Sequence, residues 1–402
     1  MKKLLAVILT LAMLAAMAVT ASAEAVDYSN IKIGVVLLHD ETSTYDLNFI
    51  NGVYEAAEKL GMDKDTQVVL ARNKPESSEC AAAAEELIDD GCNMIFFDSY
   101  GHQFYTDDVV AANPEIPFIH ATGDLAHLKG FANLANAFAT IYDGRYLAGI
   151  AAGMKLNEIK AAGNLKGEYP LIGYVGAYTY AEVISGYTSF YLGAKSVCPD
   201  VQMKVQFTGE WYDEKLEKDA ADALIDAGCD LISQHADSMG APTACENKGI
   251  PNVCYNISTK DACPNTYLVY SRINWAPYFE YILTQKAKGE AIEVDWTGTI
   301  DTNSVIVTDL NEAVAAEGTQ AAIDEAQAKI VAGELHVFDT DADNYITVNG
   351  EKVAADWAPQ DDGYNAETDK VVYDGYFHES EFRSAPYFNI RIDGIELLNE
   401  KF

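Results

Sequence analysis

Two stretches of this chain, AAAAEELIDDGCNMIFFDS at 81–99 and DAADALIDAGCDLISQHADS at 219–238, follow one script: helical run, Leu-Ile-Asp, a Gly-Cys stop, an apolar strand, and a closing Asp-Ser. Glycine ends a helix readily because it adopts left-handed backbone without a Cβ penalty, and the apolar run after it has the length of a buried strand. The strand tails differ by two residues, so the match is a resemblance between halves rather than a strict repeat. It predicts two copies of a βα layer, each a mostly parallel sheet covered by helices on both faces.

The remaining pattern extends each half. IKIGVVLL at 31–38 reads as a buried strand, FINGVYEAAEKL at 49–60 as a helix closing on Gly61, QVVLAR at 67–72 and PFIHATG at 117–123 as further strands. After a small-residue helix at 139–156 the rhythm restarts. LIGYVGA at 171–177, a helix at 181–197, a strand at 201–209 and a helix at 214–228 make the second α/β unit. Beyond residue 300 the pattern predicts a strand at 305–310 and a helix at 321–335, then hairpins or loops in the acidic, Tyr-rich stretch after 340. In doubly wound sheets, ligands bind outside the carboxyl ends of the strands, so two such lobes facing each other make a cleft, and function is sought in the loops after each strand.

The first 23 residues have the layout of a secretory signal peptide: Met-Lys-Lys, an apolar run from Leu4 to about Val19, and Ala21-Ser22-Ala23 as the cleavage site. Export is the expectation. No later segment approaches the ~20 apolar residues that a spanning helix needs. Removing Lys2 and Lys3 with the leader leaves 25 basic residues against 62 acidic ones, a net charge of −37. That balance argues against nucleic acid or an anionic membrane surface as a partner. Of the seven cysteines, Cys92 and Cys229 precede apolar runs and read as buried thiols, while Cys245, Cys254 and Cys263 are close enough in sequence for a bridge among them.

Enzyme templates find little. There is no Gly-x-Ser-x-Gly elbow, no phosphate loop, no zinc helix and no dinucleotide fingerprint. His102, His120 and His235 fall at or near strand ends, where hydrogen-bonding roles at a cleft edge are the commoner use. DTDADNYITVNGE at 339–351 has the acidic spacing of a calcium loop but lacks the glycine that the sixth position needs, so no metal or other cofactor is expected. What the strand ends do offer is aromatics beside single polar groups: Tyr45 and Asp46 after the first strand, then Ser99 and Tyr100, then Tyr178, Tyr180 and Glu182, then Trp211, Asp237 and Asn256. Flat rings with a carboxylate and amides at the edge suit a planar heterocycle or a sugar face.

GRYLAGIAAGM at 144–154, the run from IGYVGAYTYAEV through GEWYDEKLEKDAADALIDAGCDLISQHADS at 172–238, and INWAPYFEYILTQKAKGE at 273–290 closely resemble the basic membrane protein family of importer receptors. The resemblance covers most of residues 30–340. It implies a type I periplasmic-binding-protein fold, an α/β pair of lobes hinged by about three crossing segments: lobe 1 from 27–142 plus about 268–300, lobe 2 from 143–267 plus about 301–340, with 341–402 as an extension assigned to neither. It also implies capture of a purine nucleoside or base and delivery to a membrane permease of an ABC importer, by a monomer without catalytic groups. The family's ligand contacts map to Tyr45 and Trp211 as clasping rings and to Asp46, Ser99, Asn136, Asp237 and Asn256 as polar groups, with Tyr100 and Tyr178 beside them. One departure matters: where many members read Asp-x-Ser-Phe-Asn, this chain reads Thr42-Ser43-Thr44-Tyr45-Asp46, which moves a carboxylate and leaves the choice between nucleoside and base open. A sugar or autoinducer receptor of the same fold, and an exported purine-processing hydrolase working through Asp98, Asp237 or His235, are the rival readings.

Overall fold

The computed structural model describes residues 26–341, 346–353 and 368–400. The signal peptide and residues 342–345 of the calcium-loop-like stretch lie outside them. The first half begins β1 (Ile33–Val36), α1 (Thr44–Leu60), β2 (Val68–Ala71), α2 (Ser78–Asp89), β3 (Met94–Phe97), β4 (Phe118–Ala121) and β5 (Leu134–Ala139). The second runs α3 (Ile141–Ala161), β6 (Leu171–Gly176), α4 (Ala181–Val197), β7 (Gln202–Phe207), α5 (Glu214–Asp226), β8 (Leu231–His235), α6 (Gly240–Lys248), β9 (Asn252–Tyr255) and β10 (Tyr267–Ile273). Then follow α7 (Ala276–Lys288), β11 (Asp295–Gly298), β12 (Val305–Thr308), α8 (Thr319–Val331) and, near the end, β13 (Ile395–Leu397).

Two large sheets result, in the orders β11-β5-β4-β3-β1-β2 and β12-β10-β9-β8-β6-β7-β13, and two short antiparallel hairpins follow at 347–352 and 372–377. Within the large sheets every pair is parallel except β10 with β12. The repeated Gly-Cys stop works as its chemistry dictates: Gly91 and Gly228 take φ of 88° and 94°, and Cys92 and Cys229 turn inward beneath the strands that follow. In both sheets the strand order reverses around the first strand of the half, β1 between β2 and β3, β6 between β7 and β8, and this reversal opens a crevice at the carboxyl ends.

The chain passes between the sheets at Ala139–Ile141, at Ile273–Ala276 and at Gly298–Val305. The expectation grouped about 268–300 with the first lobe. β10 instead hydrogen-bonds beside β9 in the second sheet, and only α7 and β11 of that stretch join the first, with Trp275, Tyr278, Phe279 and Ile282 in its core. All seven cysteines are free and buried, so Cys245, Cys254 and Cys263 form no bridge; the Cys254 thiol instead meets Thr259 Oγ1 at 2.9 Å.

α3 and α4 pack closely enough to need glycine twice. A Cβ on Gly149 would fall on the Phe190 carbonyl oxygen, and one on Gly193 on the Tyr146 carbonyl oxygen. This contact fixes the second lobe's helical layer beside the crossing at Ile141 and thereby positions α4, whose first turn reaches the cleft.

Candidate functional site

The cleft wall from the first sheet starts at the N-terminus of α1. Ser43 caps the helix by accepting a hydrogen bond from the Asp46 N–H at 3.2 Å. That places Tyr45 in the first turn, where its hydroxyl donates to the Asp98 carbonyl at 2.8 Å and its ring meets Phe49 edge-on at 4.9 Å. After β3, the Ser99 hydroxyl and the Gly101 N–H both donate to Glu76 Oε1 at 2.6 Å, and the Tyr100 hydroxyl reaches Asp124 Oδ2 at 3.4 Å. After β4, Thr122 takes φ of 56°, a left-handed conformation that a β-branched residue adopts only under constraint, and its hydroxyl donates to the Ala121 carbonyl at 2.6 Å.

From the second sheet come Glu182 in the first turn of α4, Trp211 after β7, and His235 and Asp237 at the end of β8. Trp211 meets Tyr178 edge-on at 5.1 Å, and Tyr178 stacks on Tyr180 at 5.1 Å, so the indole is braced from behind. Its N–H is buried with no acceptor among the described residues. His235 Nε2 lies 3.4 Å from Glu182 Oε1. Together Leu38, Tyr45, Ser99, Tyr100, Thr122, Glu182, Trp211, His235 and Asp237 line a cleft of about 320 Å³ including its mouth. The two walls touch each other directly: Thr44 N–H donates to the Asp237 carbonyl at 2.8 Å, and Tyr100 meets Tyr180 at 5.6 Å. This is the closed arrangement of two facing lobes.

Burial dominates the electrostatics. The Asp237 carboxyl is pushed well above the usual carboxylate range, first by desolvation and then by the like charges of Glu217, Asp46 and Glu182, with Arg145 opposing. Among the described residues, no side chain or N–H donates to its carboxyl oxygens. Arg145, fully buried on α3, donates from Nη1 to the Gln234 carbonyl at 3.1 Å and lies 3.5 Å over the Tyr255 ring, which puts a fixed cation beneath the floor. His235 is held neutral, its pKa lowered chiefly by burial. Asp98 is likewise raised, by desolvation and then by Asp46 beside it, while its Oδ1 accepts from the Leu38 N–H at 3.0 Å.

Of the nine residues expected from sequence, Tyr45, Ser99, Tyr100, Trp211 and Asp237 come together at the cleft. The other four do not line it. Asp46 turns back and accepts the His39 N–H at 2.7 Å, so the carboxylate that replaces the family's amide fastens the loop before α1. Tyr178 stands behind Trp211. Asn136, buried in β5, lies under the loop at Gly123, and Asn256 takes left-handed φ of 69° after β9; each has an Nδ2 without a partner among the described residues. Leu38, Thr122, Glu182 and His235 line the cleft without having been among the nine. Glu182 and His235 sit at the strand and helix ends already singled out, but nothing in a threonine's identity announces a left-handed turn. Among the described residues no group of His, Cys, Asp or Glu is disposed to hold a metal ion.

Two lobes of parallel sheet, three crossings and an aromatic cleft at the strand ends define a solute-binding protein of the type I periplasmic fold. A solved solute-binding protein of an ABC transporter system from Aeropyrum pernix K1 superimposes with a TM-score of 0.65 at 17% identity, covering 78% of this chain and 94% of that one. The model of the PnrA-like ABC transporter substrate-binding protein family matches residues 33–341, and the chain belongs to that family. Its members are extracytoplasmic binding proteins that deliver small-molecule ligands to ABC permeases, not enzymes, and the hydrolase reading falls with that. Among curated relatives, a purine-binding protein of Brucella abortus is 34% identical over 225 residues, 56% of this chain and 59% of that protein. A provisionally named ABC transporter glucose-binding protein of Haloferax volcanii is 31% identical over 202 residues, 50% of this chain and 48% of that protein. A nucleoside-binding protein of Lactococcus lactis is 26% identical over 161 residues, 40% of this chain and 42% of that protein. The chain thus spans between two fifths and three fifths of the length of these relatives.

Proposed function

We propose that this protein captures a purine nucleoside or purine base between its lobes and hands it, as an exported monomer cleaved near Ala23, to a membrane permease. The observation that carries the reading is the pairing of aromatic walls from opposite lobes, Tyr45 and Trp211, around a buried carboxyl group, Asp237, and an indole N–H that lacks an acceptor among the described residues. A purine offers what each lacks: two flat faces for the rings, ring nitrogens to accept from Trp211, and N–H groups to donate to Asp237. The names of the Brucella and Lactococcus relatives support the same ligand class.

A sugar is the second reading, favoured by the name of the Haloferax relative and by the suitability of aromatic faces for pyranose rings. Thermal unfolding against purine nucleosides, free bases, pyrimidine nucleosides and pentoses separates the two, because a ligand at 100 times its Kd adds about 2.7 kcal/mol of stability. The purine reading expects a shift with purines only. A shift with sugars and none with purines overturns it while leaving the fold intact.

A further inference from the structure

Residues beyond 341 lie outside the family match, yet their described part is built into the second lobe. Val371, Phe377, Tyr387, Phe388, Ile390 and Ile392 belong to its core, and β13 pairs with β7 at the sheet edge. Glu379 anchors the middle of the segment. Fully enclosed, its carboxylate accepts from the Ser185 hydroxyl on α4 at 3.1 Å and from the backbone N–H groups of Tyr387 at 2.5 Å and Phe388 at 3.1 Å.

From that anchor, residues 383–386 reach across to the first lobe. Arg383 Nη1 lies 3.4 Å from Asp124 Oδ2, and the Ser384 N–H donates to Asp295 Oδ1 at 3.0 Å. Beside the aromatic cleft is a second compartment of about 450 Å³ including the open solvent at its mouth. The two share Tyr100, Thr122 and Glu182, and Arg383, Ala385 and Pro386 form the far wall of the second. Arg383 also donates to the carbonyls of Ala385 and Pro386, both at 3.2 Å. Asp124 in turn accepts from Gln103 Nε2 at 3.0 Å and from the Tyr100 hydroxyl at 3.4 Å. Arg383 therefore holds Asp124, and Asp124 holds a ring that borders both compartments.

We propose that residues 383–386 complete the ligand site, and that the compartment they wall takes a neutral, hydroxyl-bearing substituent projecting from the ring held between Tyr45 and Trp211. This rests on the purine reading of the cleft. The lining chemistry selects the substituent: Glu182 accepts from hydroxyls and repels a phosphate, while Arg383 and Asp124 neutralise each other and leave no free cation for a phosphate to meet. Arg383 acts as a positioning residue.

The test is the Kd of inosine, hypoxanthine and inosine monophosphate for the full chain and for two variants. The wild-type protein is expected to bind the monophosphate at least about tenfold more weakly than inosine. Ala385→Phe fills the compartment and is expected to weaken inosine by about tenfold or more while hypoxanthine changes less than about threefold. Arg383→Gln removes the charge but keeps a shorter polar side chain with N–H donors, so it guards against a folding failure of the first variant, and is expected to weaken inosine by about fivefold or more with hypoxanthine again little changed. Equal effects on both ligands, or none, would overturn the inference, because a merely structural role moves both together. If the wild-type protein binds neither purine, the reading of the cleft itself falls and takes this with it; if it binds but the ratio stays fixed in both variants, only the role of the segment falls.

Discussion

Replacing Trp211 by alanine removes one wall of the cleft and, beneath it, only the partly buried packing of the indole against the edge of the second lobe's core. The indole is half-buried, it is braced by Tyr178 and Tyr180, and its N–H has no acceptor among the described residues, so that donor is left for the ligand. Stacking of one base on one aromatic ring is worth about 1–3 kcal/mol by alanine substitution, which is roughly a 5- to 150-fold rise in Kd. The N–H adds a hydrogen bond of about 0.5–1.5 kcal/mol, or roughly 2- to 13-fold. Trp211→Phe separates the two, since it keeps a flat face and loses only the donor. Titration calorimetry with the best purine from the panel should therefore rank wild type, then Phe, then Ala, and the unliganded variants should still unfold cooperatively. A Kd within twofold of wild type for Trp211→Ala would refute the clasp, because no geometry that places the ring against a ligand is compatible with so small a loss.

Two further outcomes follow from packing and burial. Gly193→Ala drives a Cβ into the Tyr146 carbonyl where neither helix has room to give, and should cost about 3 kcal/mol or more in urea unfolding; a loss below about 1 kcal/mol would contradict the close α3–α4 contact. Glu379 is raised to about 7, chiefly by burial and against the hydrogen bonds that it accepts, so the folded state holds a proton that the unfolded chain gives up above about 4.5. Stability from this group is present at low pH and lost as pH rises from about 4.5 to about 7; Glu379→Gln should flatten that slope, and an unchanged pH profile would show that the carboxyl is ionised throughout.

Much of the architecture was legible because both halves carry unambiguous punctuation. Gly91-Cys92 and Gly228-Cys229 stop helices and start buried strands, and the α-to-β change of period on either side admits one reading. β5 escaped notice because Leu-Ala-Asn-Ala-Phe-Ala is poor in the branched residues that mark strands; it is stabilised by two parallel neighbours, β4 and β11, rather than by propensity. β10 was grouped with the wrong sheet because its partner β9 is identified only by register. The site divided along a similar line. Tyr45, Trp211 and Asp237 were found because strand-end position and residue type agree, whereas Asp46, one position beyond Tyr45, points elsewhere because the Ser43 cap turns it back onto the His39 N–H. Thr122 and Arg383 carried no signal, the first because its role is a backbone conformation, the second because it lies some 260 residues along the chain from the group that it meets, Asp124.

The same burial that makes Asp237 unusual explains how ligand and closure are linked. Thr44 N–H meets the Asp237 carbonyl only when α1 and the end of β8 are brought together, and in that arrangement the carboxyl is desolvated among Glu217, Asp46 and Glu182. Closing over an unpaired polar group costs about 1–3 kcal/mol, which by itself favours the open form by roughly 5- to 150-fold. A purine N–H directed at Asp237 removes that penalty, and it does so only in the closed form, so the ligand's differential contact is what shifts the population. A ligand of the same shape with an apolar C–H in that place would stack on Trp211 but leave the carboxyl unpaired. It should bind without closing the lobes, and discrimination by Asp237 would then appear in the permease's recognition of the complex as well as in Kd.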